Sequence, residues 1–164
     1  MKPVHTAVLL SVAVAVTVLV AVQLLGPDDG GGPDGEVVTF ALADGGHLDI
    51  ACEVADTSYE RAAGLQFRDD LPSGRGMLFV YGEPKELSFI MPNMNFPLDI
   101  IFIAENGTVL NVEEAEPEDP DTPRSDYVRY RSDGEAKWVV EINQGLSRQH
   151  GIGPGTRVEI GPSG

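Results

Sequence analysis

The sequence predicts a mainly β fold: a compact β-sandwich or jelly-roll-like domain with one or two short helices, preceded by a single transmembrane helix. Three observations predict it. Most segments after residue 36 alternate apolar and polar residues with period two, the mark of half-buried strands. Helix-start signals are few and introduce only short segments. One long apolar run stands apart at the N-terminus.

That run extends from Ala7 to Leu25, 19 residues interrupted only by Ser11, Thr17 and Gln23. As a helix it reaches roughly 30 Å, the hydrocarbon thickness of a bilayer. A cleaved signal peptide is the rival reading. Ala13 and Ala15 suit a cleavage site but lie inside the run, and the following Gln23-Leu24-Leu25-Gly26-Pro27 matches one poorly. Length favours an uncleaved signal anchor. Lys2 precedes the span, whereas Asp28, Asp29, Asp34 and Glu36 follow it. The positive-inside bias then places the N-terminus in the cytoplasm and the domain outside the cell membrane, as a single-pass protein. Gly26 to Gly35, with five glycines, two prolines and three aspartates, reads as a flexible tether. The expected organisation is an anchor at 1–26, a linker at 27–36 and a β domain at 37–164.

Within the domain, His47–Val54 alternates most clearly, with Leu48, Ile50, Cys52 and Val54 on one face and His47, Asp49 and Glu53 opposite. Val37–Ala43 precedes it, and Asp44-Gly45-Gly46 supplies the turn of a hairpin. Thr57-Ser58-Tyr59-Glu60 has capping-box form and predicts a short helix ending at Gly64. Further strands are read at Met77–Tyr81, Glu86–Met91, Leu98–Ile103, Thr108–Glu113, Lys137–Ile142 and Arg157–Ile160, with Asn106-Gly107 turning the middle pair. A second helical turn is expected at Leu146–His150, closed by Gly151. Pro117–Asp133 is acidic and proline-rich, and predicts a long exposed loop.

Charge narrows the function classes. The chain carries 26 acidic and 11 basic residues, a net charge of −15. All the acids and every base but Lys2 follow residue 26, so the exported part is one unit more negative still. Nucleic acid is excluded as a partner, because phosphate binding needs clustered Lys and Arg. The composition resembles the surfaces of extreme halophiles, where molar salt screens self-repulsion within about 3 Å. The domain is accordingly expected to lose its fold on dialysis to low salt; a cooperative melt indifferent to salt would refute that.

Several stretches together resemble the DUF192 family, also called UPF0127. They are Glu53-Val54-Ala55-Asp56-Thr57 running into Glu60-Arg61-Ala62-Ala63-Gly64-Leu65, Phe67-Arg68, Gly76-Met77-Leu78-Phe79, Ser88-Phe89-Ile90-Met91-Pro92-Asn93, Pro97-Leu98-Asp99-Ile100, Val139-Val140-Glu141-Ile142, Gly145, His150-Gly151-Ile152 and Gly155. They cover roughly residues 47 to 160. Ile90 stands where the family usually has an aromatic residue, and Pro92 where it often has lysine. The resemblance implies a jelly-roll-type sandwich and no established activity.

Four residues are candidates for a ligand site. Asp99 opens a strand whose faces are both apolar, which suggests a central, buried strand whose carboxylate must be paired or hydrogen-bonded. It is either a ligand-binding or acid–base group, or a structural carboxylate salt-bridged to Arg68. Arg68 and Asn93 lie in loops beside strand ends, where binding groups collect, although an asparagine also closes turns. Glu141 shares a face with Lys137 and Val139, and reads as part of a solvated face or a shallow groove wall. Asn106-Gly107-Thr108 fits the glycosylation pattern as well as the hairpin turn. Met77, Met91 and Met94, with Cys52, His47 and His150, raise soft-metal binding, but methionines in alternating strands belong to a core and no histidine pair converges. No metal or other cofactor is expected. Cys52 points inward as an inert thiol, and no Gly-x-Ser-x-Gly elbow occurs.

The expectation is thus a membrane-anchored extracytoplasmic module, non-catalytic, binding a small polar ligand, glycan, peptide or envelope protein at Arg68, Asn93, Asp99 and Glu141. An envelope hydrolase pairing Asp99 with a second carboxylate, and a purely structural surface protein, are the alternatives.

Overall fold

The computed structural model describes residues 35–162. The predicted Ala7–Leu25 span and nearly all of the tether lie outside them. Among the described residues no helix is long and apolar enough to cross a membrane. The elements in order are β1 (Glu36–Ala41), β2 (His47–Ala55), α1 (Ser58–Ala63), β3 (Arg75–Phe89), β4 (Leu98–Ile103), β5 (Val109–Ala115), a 3-10 turn (Arg124–Asp126), β6 (Tyr130–Asn143), α2 (Leu146–His150) and β7 (Val158–Pro162).

Local chemistry explains the elements that were predicted. Gly45 turns the β1–β2 hairpin with φ +86°, and Gly107 turns the β4–β5 hairpin with φ +73°, conformations that glycine reaches without strain. The Asn106 side chain caps the second turn by accepting from the Thr108 N–H at 3.1 Å. The Thr57 hydroxyl accepts from the Glu60 N–H, and the Glu60 carboxylate accepts from the Thr57 N–H, so the capping box is complete.

The strands form one seven-stranded sheet in the order β5-β4-β6-β3-β2-β1-β7, rather than the two packed sheets of the expected sandwich. β2 and β3 are parallel, linked by the crossover that carries α1. The sheet curls until its ends meet: Thr108, beside β5, bridges Arg157, beside β7. The Val109 N–H donates to the Thr156 carbonyl and the Val158 N–H to the Gly107 carbonyl. Two long strands keep the sheet undivided. β3 runs 15 residues where two separate strands were expected. Gly82-Glu83-Pro84 is accommodated as a bulge, because Val80 pairs with Trp138 and Lys85 with Ala136. A proline without an N–H and a glycine suit such an interruption. β6 starts at Tyr130, inside the stretch read as a loop. Tyr130 is buried, and its hydroxyl accepts from the Glu116 N–H at 3.0 Å, so the loop shortens to residues 116–129.

Two cores result. Inside the curl, all seven strands contribute: Val38 and Phe40, Ile50 and Cys52, Leu78, Ile101 and Ile103, Val109, Val140 and Ile142, and Val158. Outside it, Met77, Phe79, Leu98, Ile100, Phe102 and Val139 face Leu65, Leu71, Met91 and Met94 from the connections after α1 and β3. β4 is therefore buried on both faces, as its sequence requires, although it lies one strand in from the β5 edge. Cys52 is a buried core thiol, its pKa pushed up to about 12 mainly by burial.

At the inner core β3 passes too close to its neighbours for any side chain. A Cβ on Gly76 would lie 2.8 Å from the Glu141 carbonyl oxygen, 2.9 Å from Ile50 Cγ2 and 3.2 Å from Cys52 Sγ. Gly76→Ala is expected to cost roughly 1–3 kcal/mol as overpacking. Chemical denaturation measures it, and an unmoved midpoint would contradict this packing.

Candidate functional site

A cleft opens on the outer core between α1 with its following turn, the end of β3 and the residues after it, and β6. It is small, about 50 Å³, and its lining includes Leu65, Phe79, Ile90, Met91, Met94 and Glu141. Glu141 is the unusual member. In register it sits between Met77 of β3 and Ile100 of β4, both apolar and buried. The residue is 6% exposed, and its carboxyl group has no hydrogen-bond or ion-pair partner among the described residues. Desolvation pushes its pKa up to about 8, so at neutral pH it is a protonated acid able to donate as well as accept. The expected solvated face is thus corrected. Val139-Val140-Glu141-Ile142 lies in a stretch of strand buried on both faces, so the acid meets the outside only through the cleft. Of the two readings of Glu141, the groove wall is the one that the structure contains.

A second compartment of about 130 Å³ adjoins the first, sharing Arg61, Phe89 and Ile90 and adding Tyr81 and Ser88. α1 positions Arg61, whose Nη1 donates to the carbonyl oxygens of Asp56 and Val80, the latter at 2.9 Å. The guanidinium also stacks over the Tyr81 ring, 4.9 Å from its centroid, and Lys85 Nζ lies at the same distance. Tyr81 and Lys85 flank the β3 bulge, so the irregularity that sequence periodicity reads as a strand break delivers two residues beside the cleft. Burial raises the Tyr81 pKa.

The other candidates do not converge on this place. Asp99 is fully buried on the opposite face: it pairs in register with Ile142, whereas Glu141 pairs with Ile100. Its Oδ1 accepts from the Gly145 N–H at 3.0 Å and its Oδ2 from the Ser147 N–H at 2.8 Å. Both oxygens satisfy N–H groups at the start of α2, a structural use, and the full burial of Asp99 keeps a ligand from reaching them. The expected Arg68–Asp99 pair is absent. Arg68 instead forms a bidentate pair with Glu53 of β2, at 2.6 and 2.8 Å, which lowers the Glu53 pKa.

Asn93 stands nearer the cleft mouth. It adopts φ +54°, its carbonyl accepts from the N–H of Phe67 (φ +63°), and its side-chain amide donates to Gln66 Oε1, a cleft residue. Asn95 Nδ2 donates to the Arg68 carbonyl. Arg68 and Asn93 thus belong to one loop junction that braces the mouth, while their charged or polar ends are spent on protein partners. Met91 and Met94 line the cleft wall and Met77 packs in the same core. Sequence reasoning missed Arg61, Gln66, Tyr81 and Ser88. Arg61 and Ser88 fall in family-like stretches, but nothing local marks any of the four as a site residue, because only the curl of the sheet and the bulge bring them together. Glu141 did carry a signal, as the one acid in an apolar run.

The family model DUF192, described as an uncharacterized ACR, matches residues 40–160. Among solved structures, a protein of unknown function from Novosphingobium aromaticivorans superposes with a TM-score of 0.70 at 35% identity, covering 82% of this chain and 89% of that one. A candidate transcription regulator from Sinorhizobium meliloti superposes with a TM-score of 0.69 at 30% identity, covering 80% and 98% respectively. No curated protein matches the chain.

Proposed function

The chain belongs to the DUF192 family, and on that premise we propose that it is a membrane-anchored, extracytoplasmic, salt-adapted accessory module that binds a small polar ligand without catalysis, in the Glu141 cleft. The observation that carries this reading is Glu141 itself. A buried carboxyl group with no partner costs stability, and such a cost persists where a ligand supplies the missing hydrogen bond. The size of the cleft favours the tip of a small ligand over a glycan or a protein surface as what enters it. The anchor rests on the Ala7–Leu25 run and the salt adaptation on the acidic composition. Net charge speaks against DNA, whatever the Sinorhizobium protein contacts.

A carboxylate-pair hydrolase gains no support. Asp99 and Glu141 face opposite sides of the sheet, and the Asp99 oxygens are occupied. The test is thermal melting of the detergent-solubilised full chain in molar salt against envelope-derived small molecules, glycans and peptides. A ligand at 100 times its Kd should add about 2.7 kcal/mol of stability, visible as a shift of several degrees that Glu141→Leu abolishes. No shift with any of them would remove the binding reading.

A further inference from the structure

The outer compartment collects hydrogen-bond donors that the fold leaves unspent. Arg61 uses only Nη1, on two backbone carbonyls, so Nε and Nη2 have no partner among the described residues. The hydroxyls of Tyr81 and Ser88, which line the same compartment, make no hydrogen bond there either. Lys85 adds a second cation over the Tyr81 ring, and neither it nor Arg61 is in an ion pair among the described residues. In a chain with 26 acids, two cations on one half-buried aromatic ring, without a carboxylate partner, make an exception to the surrounding field. The inner compartment adds no opposing charge while Glu141 is protonated, and its walls combine apolar side chains with the neutral Gln66 amide and Arg61.

We propose that the outer compartment is an oxyanion site, in which Arg61, Tyr81 and Ser88, assisted by Lys85, hold the carboxylate or phosphate group of a small organic ligand whose neutral end enters the Glu141 cleft. This rests on the cleft-binding reading above and narrows it to a ligand class. The recognition chemistry is charge-assisted: guanidinium and hydroxyl donors converge on one oxyanion, at the mouth of a compartment too narrow for anything but the ligand's slim tip.

The full chain in detergent micelles, in molar NaCl, is titrated separately with sodium acetate, inorganic phosphate and methylammonium chloride, following the Arg61 Nε–H and Ser88 amide signals by NMR. Acetate or phosphate should shift both signals saturably, the tighter of the two identifying a carboxylate or a phosphate ligand. The double variant Tyr81→Phe/Lys85→Gln, which keeps the Tyr81 ring that packs against the outer core, should weaken that binding by about tenfold or more. Arg124→Gln, exposed in the 3-10 turn and outside both compartments, should leave it unchanged. Absence of a saturable shift with both anions, or identical affinity in the double variant, overturns the oxyanion site. Saturable methylammonium binding that Glu141→Gln abolishes would also overturn it while leaving the cleft-binding reading intact. Silence in this titration together with silence in the melting screen would remove both.

Discussion

Asp99→Ala is expected to destabilise the domain by roughly 3–5 kcal/mol, the largest effect of any single substitution considered. Asp99 is fully buried and its two oxygens accept from the Gly145 and Ser147 N–H groups. Hydrogen bonds to a carboxylate contribute about 1.5–3 kcal/mol each, and truncation also strands the buried Ser147 N–H away from water. α2 spans only Leu146–His150, too short to hold itself, so its start depends on this anchor from β4. Ile152, just beyond its end, packs in the inner core and would lose its placement with it. Urea or thermal denaturation measures the loss, which corresponds to a fall in Tm of roughly 10 °C or more for a domain of this size. A fall of less than about 1 kcal/mol would mean that these bonds are not a principal support of α2.

Glu141→Gln should produce the second largest effect, and one whose size depends on pH. Burial pushes the folded-state pKa up to about 8, from an ordinary value of 4.5. Below about pH 4.5 both states hold the proton and the group makes no difference. Between about 4.5 and 8 the unfolded chain releases a proton that the folded chain retains, so stability falls as pH rises, at up to about 1.4 kcal/mol per pH unit. Above pH 8 both states are ionised and the full penalty, roughly 3–5 kcal/mol, remains. Glutamine fills nearly the same volume and cannot ionise. The difference in Tm between variant and parent should therefore be constant below pH 4.5, grow steadily in favour of the variant up to pH 8, and then level off. Referring each measurement to the parent at the same pH removes the general repulsion among the other carboxylates, which acts on both proteins alike. Parallel stability curves across this range would show that Glu141 reaches solvent or a partner.

Most of the fold was legible because its signals are short-range. The alternation in His47–Val54, the capping box from Thr57 to Glu60 and the Asn106-Gly107 turn each depend on residues a few positions apart, and each recurs in the structure. Where legibility failed, the deciding neighbour was distant in sequence. The Gly82-Glu83-Pro84 stretch looks like the end of a strand until β6, about 55 residues later, carries the ladder past it as a bulge. Tyr130 reads as part of an acidic loop until the outer core is there to bury it.

The candidate residues divide along the same line. That Asp99 needs partners follows from an acid at the head of an apolar strand, but the partners lie 46 and 48 residues away in a helix start. Arg68 had many acids to choose from, and only the position of the crossover after β2 selects Glu53. The sequence by itself determined the strands, the caps, the turns and the presence of acids that apolar strands must accommodate, because backbone conformation answers to near neighbours. Only the tertiary structure decided which side of the sheet each acid faces and whether it finds a donor there, because strand register couples residues that the chain keeps far apart.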